Sequence, residues 1–198
     1  MPGQIKLIRP VISNFGLYSL LTLQLLITCS VKAQSLALEA GEKNLNIIYR
    51  VAAIYDTTSP LILDTRLLYS KQNHHQDLFA AAGMTAYSGK DLKLGAGFKI
   101  IAADPLDYSL TAMTMGGELI FNPQQSNLKI QTSLYYAGQS LTFSDGASVS
   151  TFTVNVDYAI NHRHYIRLGY RRIRTEIINE INDDFDDGAY LGLVSFFN

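Results

Sequence analysis

Beyond residue 34, apolar and polar side chains alternate with a period of two, and helical spacing is absent. In the final segment Leu191, Leu193, Ser195 and Phe197 fall on one face, and Tyr190, Gly192, Val194 and Phe196 on the other. Successive side chains of an extended chain point to opposite faces, so this spacing predicts strands. Ten are predicted, over 35–41, 45–56, 60–70, 77–88, 91–102, 106–122, 127–137, 147–160, 164–176 and 189–197, with eight as the rival count. In the eighth, Phe152, Val154, Val156 and Tyr158 oppose Thr151, Thr153, Asn155 and Asp157. In the fifth, Leu92, Leu94, Ala96, Phe98 and Ile100 oppose Lys93, Gly95, Gly97 and Lys99, and in the ninth Ile166, Leu168 and Tyr170 oppose Arg167, Gly169 and Arg171. The fourth is small on both faces, and Gly116-Gly117 in the sixth is a candidate β-bulge.

A soluble protein rarely ends on an apolar strand face with two adjacent phenylalanines. In an outer-membrane barrel the last strand closes the cylinder and is read by the insertion machinery. Tyr190, Gly192 and Phe197 are the candidate assembly signal. The predicted fold is therefore all-β: a closed antiparallel up-and-down transmembrane β-barrel of about ten strands, in which only alternate residues touch hydrocarbon. Connections at 57–60, 89–90, 123–126 and 161–163 read as short periplasmic turns. Those at 71–76, 138–146 and 177–187 read as longer external loops, while two others, near Glu42 and Asp104, are short. Aromatic residues collect at both expected interfaces: Tyr55, Phe121, Tyr158, Tyr165 and Phe197 at one, and Tyr69, Tyr108, Tyr136 and Tyr170 at the other. The rival architecture is a secreted soluble barrel of lipocalin type.

The first 33 residues carry a different pattern. Lys6 and Arg9 precede an apolar run over 15–29, and Val31-Lys32-Ala33 is a small-x-small cleavage site. That order reads as a secretory signal peptide over 1–33, ahead of one barrel domain over 34–198. A helical anchor needs about 20 apolar residues, and this run is shorter and interrupted by Gln24. A loose lipobox ending at Cys29 is the other competing reading. Cleavage after Ala33 removes three cations and no acid, taking the net charge from −1 to −4. It also removes the only cysteine. No disulfide can then staple the domain, and no nucleic-acid partner is expected.

The same alternation turns Arg50, Arg66, Lys93, Lys99, Lys129, Arg167 and Arg171 inward, with Glu39, Asp64, Glu118 and Asp157. Seven cations against four acids leave +3 inside a chain that is acidic overall. Barrels of eight strands are just filled by side chains, and ten lie near that limit. The expectation is a narrow porin-like channel, anion-preferring in any current, or a structural barrel plugged by its own salt bridges.

Residues 168–171, Leu-Gly-Tyr-Arg, followed by an acidic segment and by Asp-Gly-Ala-Tyr-Leu-Gly at 187–192, complete the pattern. Over 35–198 the chain resembles the YfaZ family of small bacterial outer-membrane β-barrels. The resemblance implies a porin-like or structural role in the Gram-negative outer membrane and carries over no catalytic residue. Expected partners are membrane lipid, lipopolysaccharide and the barrel-assembly machinery; the expected state is a monomer, without a cofactor.

Other chemistry is thinly supported. His74 and His75 in one loop and Ser144-Asp145 in another compose a hydrolase or acyltransferase triad on paper. Polar loops supply such sets readily, so no enzyme is expected. His162 and His164 flank a turn without a third metal ligand. Asp183, Asp184, Asp186 and Asp187 form an oxygen-rich stretch suited to Ca²⁺, although a solvated acidic loop explains them equally.

Overall fold

A computed structural model describes residues 34–197 apart from 55, 57, 73–74, 105–108, 124–125, 145 and 178–182, and it omits the side chains of 72, 75–76, 144, 146, 177 and 183. The leader expected over 1–33, with Ala33 and Cys29, lies outside the described residues, as do Tyr55, Tyr108, His74 and Asp145.

The strands are β1 (Gln34–Gly41), β2 (Asn44–Ile54), β3 (Leu61–Gln72), β4 (His75–Ser88), β5 (Leu92–Ala103) and β6 (Leu110–Phe121). They continue as β7 (Leu128–Ala137), β8 (Thr142–Ser144), β9 (Gly146–Ala159), β10 (His164–Ile177) and β11 (Asp183–Phe197). Each of ten pairs antiparallel with its neighbours, and β1 pairs with β11 from Gln34↔Phe197 to Gly41↔Tyr190, which closes the cylinder. Closure pairs each of the ten long strands on both sides; among the described residues β8 pairs on one side only, with β6. The eleventh, β8, is a three-residue strand beside Leu110–Ala112 of β6, where β7 has turned aside into a single 3₁₀ turn. The ten-strand reading is the observed one.

Details differ from the sequence reading. β11 begins at Asp183 rather than 189, so much of the expected acidic loop is strand, paired with β10 through Arg172↔Asp187 and Arg174↔Asp184. The expected loop at 71–76 likewise shrinks to 73–74. Connections at the end holding both termini (55–60, 89–91, 122–127, 160–163) are not systematically shorter than those at the distal end (42–43, 73–74, 104–109, 138–145, 178–182). The glycine pair at 116–117 carries no bulge, since β5 and β6 pair without a slip. The register breaks instead at Ala52/Ile54, Ile173/Arg174 and Glu176/Ile177. Gly116 serves a different need: a Cβ there would stand 2.0 Å from the Leu134 carbonyl and 2.8 Å from the Tyr135 ring. Gly169 seats Tyr190 in the same way, with a built Cβ 2.5 Å from that ring.

The alternation sorts as the sequence implies. Leu38, Leu94, Ile100, Leu134, Leu168 and Leu191 stand exposed on the outer wall, while Thr153, Asn155, Asp157 and Arg167 are buried inside. Tyr69, Phe121, Tyr136, Tyr158, Tyr170 and Phe197 are exposed outside. Tyr165 is the exception. It lies on the inward parity of β10 and packs edge-on against Phe196, centroids 5.4 Å apart. An apolar cluster occupies the distal end of the interior, built on Leu68, Phe79, Ile101, Leu110, Ile173 and Phe185.

Candidate functional site: the barrel interior

Below the distal cluster the interior is polar and ion-paired. Glu39 on β1 is the hub of one group and is almost fully buried. Its two oxygens accept from Arg167 Nη1 at 3.0 Å and Arg171 Nη1 at 2.9 Å, both on β10, and Asn46 Nδ2 adds a third bond at 2.6 Å. Arg167 also forks onto Asp157, with Nε and Nη2 at 2.6 and 2.8 Å. Arg171 reaches Asp186 through Nε and Asn44 through Nη2, and lies over the Tyr190 ring. Two guanidiniums on one strand, three residues between them, therefore hold β1, β2, β9 and β11 together across the closing seam. Gly192 opposes Glu39 in that seam, and a Cβ there would crowd the Leu38 carbonyl at 2.7 Å.

A second group fills the opposite wall. Lys99 Nζ bridges Asp64 at 3.2 Å and Glu118 at 3.1 Å, and stands 4.3 Å from the centre of the Tyr135 ring. Glu118 also accepts from the Tyr87 hydroxyl, from Gln131 Nε2 at 2.9 Å and from the Tyr135 hydroxyl at 3.1 Å. Arg50 Nη1 donates to Gln131 Oε1 at 3.1 Å, joining β2 to β7 across the lumen. Buried charges persist only when paired and hydrogen-bonded, and the central carboxylates of both groups, Glu39 and Glu118, meet that condition. Arg66 adds a cation beside Asp64 and the Phe79 ring, around a void of only about 10 Å³. That is the least space that admits one water.

At the terminal end the interior opens. A cavity of about 340 Å³ extends from Ala37, Ile48, Val51 and Val194 on one wall to Lys93 and Lys129 on the other, with the Arg50 side chain crossing from β2 to Gln131 on β7. A second hollow of about 460 Å³ adjoins it at the mouth and shares Lys93, Ile120 and Lys129. Asp56 lies at this mouth. The Thr58 backbone N–H and hydroxyl both bond its carboxylate, which lowers its pKa and keeps it ionised.

Asp64, Lys99, Glu118, Asp157, Arg167 and Arg171 are buried in the two groups, whereas Arg50, Arg66, Lys93 and Lys129 are half-buried. The expected charge surplus is smaller than the alternation implied. Asp77 and Asp186 also face inward and are buried, so among the described residues those seven cations meet six such acids and the balance is +1 rather than +3. Asp-Asp-Phe-Asp-Asp carries no strand signal of its own, so from the sequence Asp186 falls in a loop. Of the Ca²⁺ candidates, Asp184 accepts from Arg172 and Arg174, Asp186 from Arg171, and Asp187 from Tyr170, so arginine and tyrosine donors occupy these oxygens. The Asp183 side chain lies outside the described residues, as do those of Ser144 and His75. His164 Nδ1 sits 3.0 Å from Ser195 Oγ, and both His162 and His164 are exposed. In the closing strand Tyr190 is buried and Phe197 is exposed. Tyr87, Gln131 and Tyr135 escaped the sequence reading, since uncharged residues on an inward face carry no distinguishing mark.

A family model described as "YfaZ precursor" matches residues 12–197. No curated protein matches the chain.

Proposed function

The chain belongs to the YfaZ family, and we propose that it is an outer-membrane β-barrel with a filled interior, a structural barrel rather than an open porin. The observation that carries this reading is the stacking of two interior layers. The Glu39 and Glu118 ion-pair groups span the middle of the lumen, and the apolar cluster around Phe79 and Phe185 occupies its distal end. An ion entering from the terminal end would have to break charge-assisted bonds and then cross a dry apolar layer.

Membrane residence is supported by the outer wall. On β11 the outward residues Ala189, Leu191, Leu193, Ser195 and Phe197 hold no charge until Asp187 is reached. Such a span of nine residues is what a tilted strand needs to cross hydrocarbon. Outward charge returns at the distal rim, where Arg172 and Arg174 pair with Asp184 and Asp187. There they would meet lipopolysaccharide headgroups. An even strand number leaves both termini on one side. For a chain exported into the periplasm that side is the periplasm, because neither charged terminus then has to cross. A barrel closed through its ten long strands has no need of a second copy, so the reading is a monomer that depends on the assembly machinery for insertion, and the role proposed for it is not enzymatic. Density fractionation of cells expressing the full chain, with gel mobility before and after boiling, tests the placement. Recovery in the outer-membrane fraction as a heat-modifiable band is expected; recovery as a soluble periplasmic protein would overturn it.

A further inference from the structure

We propose that the terminal-end cavity binds a small amphipathic anion, an acyl-type apolar body carrying one carboxylate. This goes beyond the structural role and rests on the cavity itself. Its volume of about 340 Å³ falls in the range of small-molecule sites, roughly 300–1,000 Å³. One wall is apolar and buried, formed by Ala37, Ile48, Val51 and Val194 where β1, β2 and β11 meet. A purely structural lumen gains nothing from an apolar wall facing an open hollow, because that surface stays wet.

The facing wall is cationic and holds no contact ion pair: Asp56 acts on Lys93, Asp157 on Lys129 and Glu118 on Arg50, each from beyond ion-pair distance. Arg167 at the cavity floor is neutralised by Glu39 and Asp157. Arg50 is different: its described hydrogen bond goes to the uncharged Gln131. Among the described residues no carboxylate lies within ion-pair distance of Arg50, Lys93 or Lys129, although every other inward cation except Arg66 has one. Lys129 lies 6.0 Å from the centre of the Phe196 ring, so its ammonium stands at the junction of the two walls. Asp56 and Asp91 are the acids near the mouth, outnumbered there by Lys90, Lys93 and Lys129 with Arg50 behind them. The chain supplies half of a binding site: partly desolvated cations on one side and an unfilled apolar surface opposite. A carboxylate on Arg50 and Lys129 with its chain laid along Ile48, Val51 and Val194 would satisfy both walls at once.

The test uses the refolded full barrel in lipid nanodiscs with octanoate as probe, read by saturation-transfer NMR against empty nanodiscs. Saturable binding above the empty-disc background is expected. Octanol lacks the head and should bind at least about tenfold more weakly, the factor expected for one hydrogen bond to a charged group; acetate lacks the chain and should also bind at least about tenfold more weakly, through the lost burial of its methylenes. Lys129→Gln should weaken octanoate by a similar factor and Arg50→Gln further. Lys129 makes no described hydrogen bond, so its variant reads the site even if Arg50→Gln fails to fold. Octanoate binding no better than octanol, inorganic phosphate displacing it at equal concentration, or Lys129→Gln binding like wild type would each overturn the proposal.

Discussion

Placing an arginine at Leu193 probes the membrane assignment most sharply, because the structure isolates the effect. Leu193 is 46% exposed and points out of the barrel, so nothing inside is disturbed. It pairs with Leu38 on β1 and Ile166 on β10, and losing these cross-strand contacts costs about 0.2–1 kcal/mol each. The larger effect depends on depth. Residues 189–197 rise about 27 Å along the strand, or about 21 Å along the membrane normal at a tilt near 40°, and Leu193 is their midpoint. Arginine at the midplane of such a barrel costs about 2–4 kcal/mol, falling to about 0–1 near an interface. Leu193→Arg should therefore lower the unfolding free energy in lipid vesicles well beyond the cross-strand loss, and Ala189→Arg, four residues toward the rim, should barely change it. The chain has no tryptophan, so urea titration followed by far-UV circular dichroism and gel mobility is the suitable assay. Equal losses at the two positions, or none at Leu193, would refute the assigned face and depth.

The interior yields further expectations. Glu39→Gln leaves Arg167 and Arg171 short of their shared acid and should destabilise the barrel by about 3–5 kcal/mol in the same titration; Arg172→Ala, at an exposed pair, should cost only about 0–1 kcal/mol. Phe79 is 1% exposed and its ring centroid lies 5.6 Å from that of Phe185, so Phe79→Ala should cost about 3–5 kcal/mol, seen as a lower urea midpoint. Gly169→Ala drives a methyl toward Tyr190 and should cost about 1–3 kcal/mol, seen as a lower temperature for the heat-modified mobility shift.

The barrel was legible because its physics is local. Period-two alternation fixes which side chains face in, and closure followed from the terminal strand. The interior was only half legible. The inward parity of Arg167 and Glu39 can be read from each strand, but they are 128 residues apart in sequence, and only the closed cylinder brings them together. Asp183–Asp187 reads as a solvated loop, because five residues with four acids form a strand only beside the arginines of β10. Tyr165 lies near a turn, where an outer-girdle position is expected, but the parity of its own strand sends it inward against Phe196. The inward glycines could not be interpreted alone: Gly169 makes sense only with Tyr190 above it, a contact between neighbouring strands that spacing within one strand does not show.

A filled lumen is the property on which the structural role depends. Planar-bilayer recording of the refolded wild-type barrel tests it most directly, with an open porin inserted under the same conditions as a positive control. Verified insertion with no resolved current steps above the bare bilayer is the expected result. Large, stable steps from the inserted wild-type protein would contradict it, because the ion-pair groups at Glu39 and Glu118 and the apolar layer at Phe79 could not then all be in place.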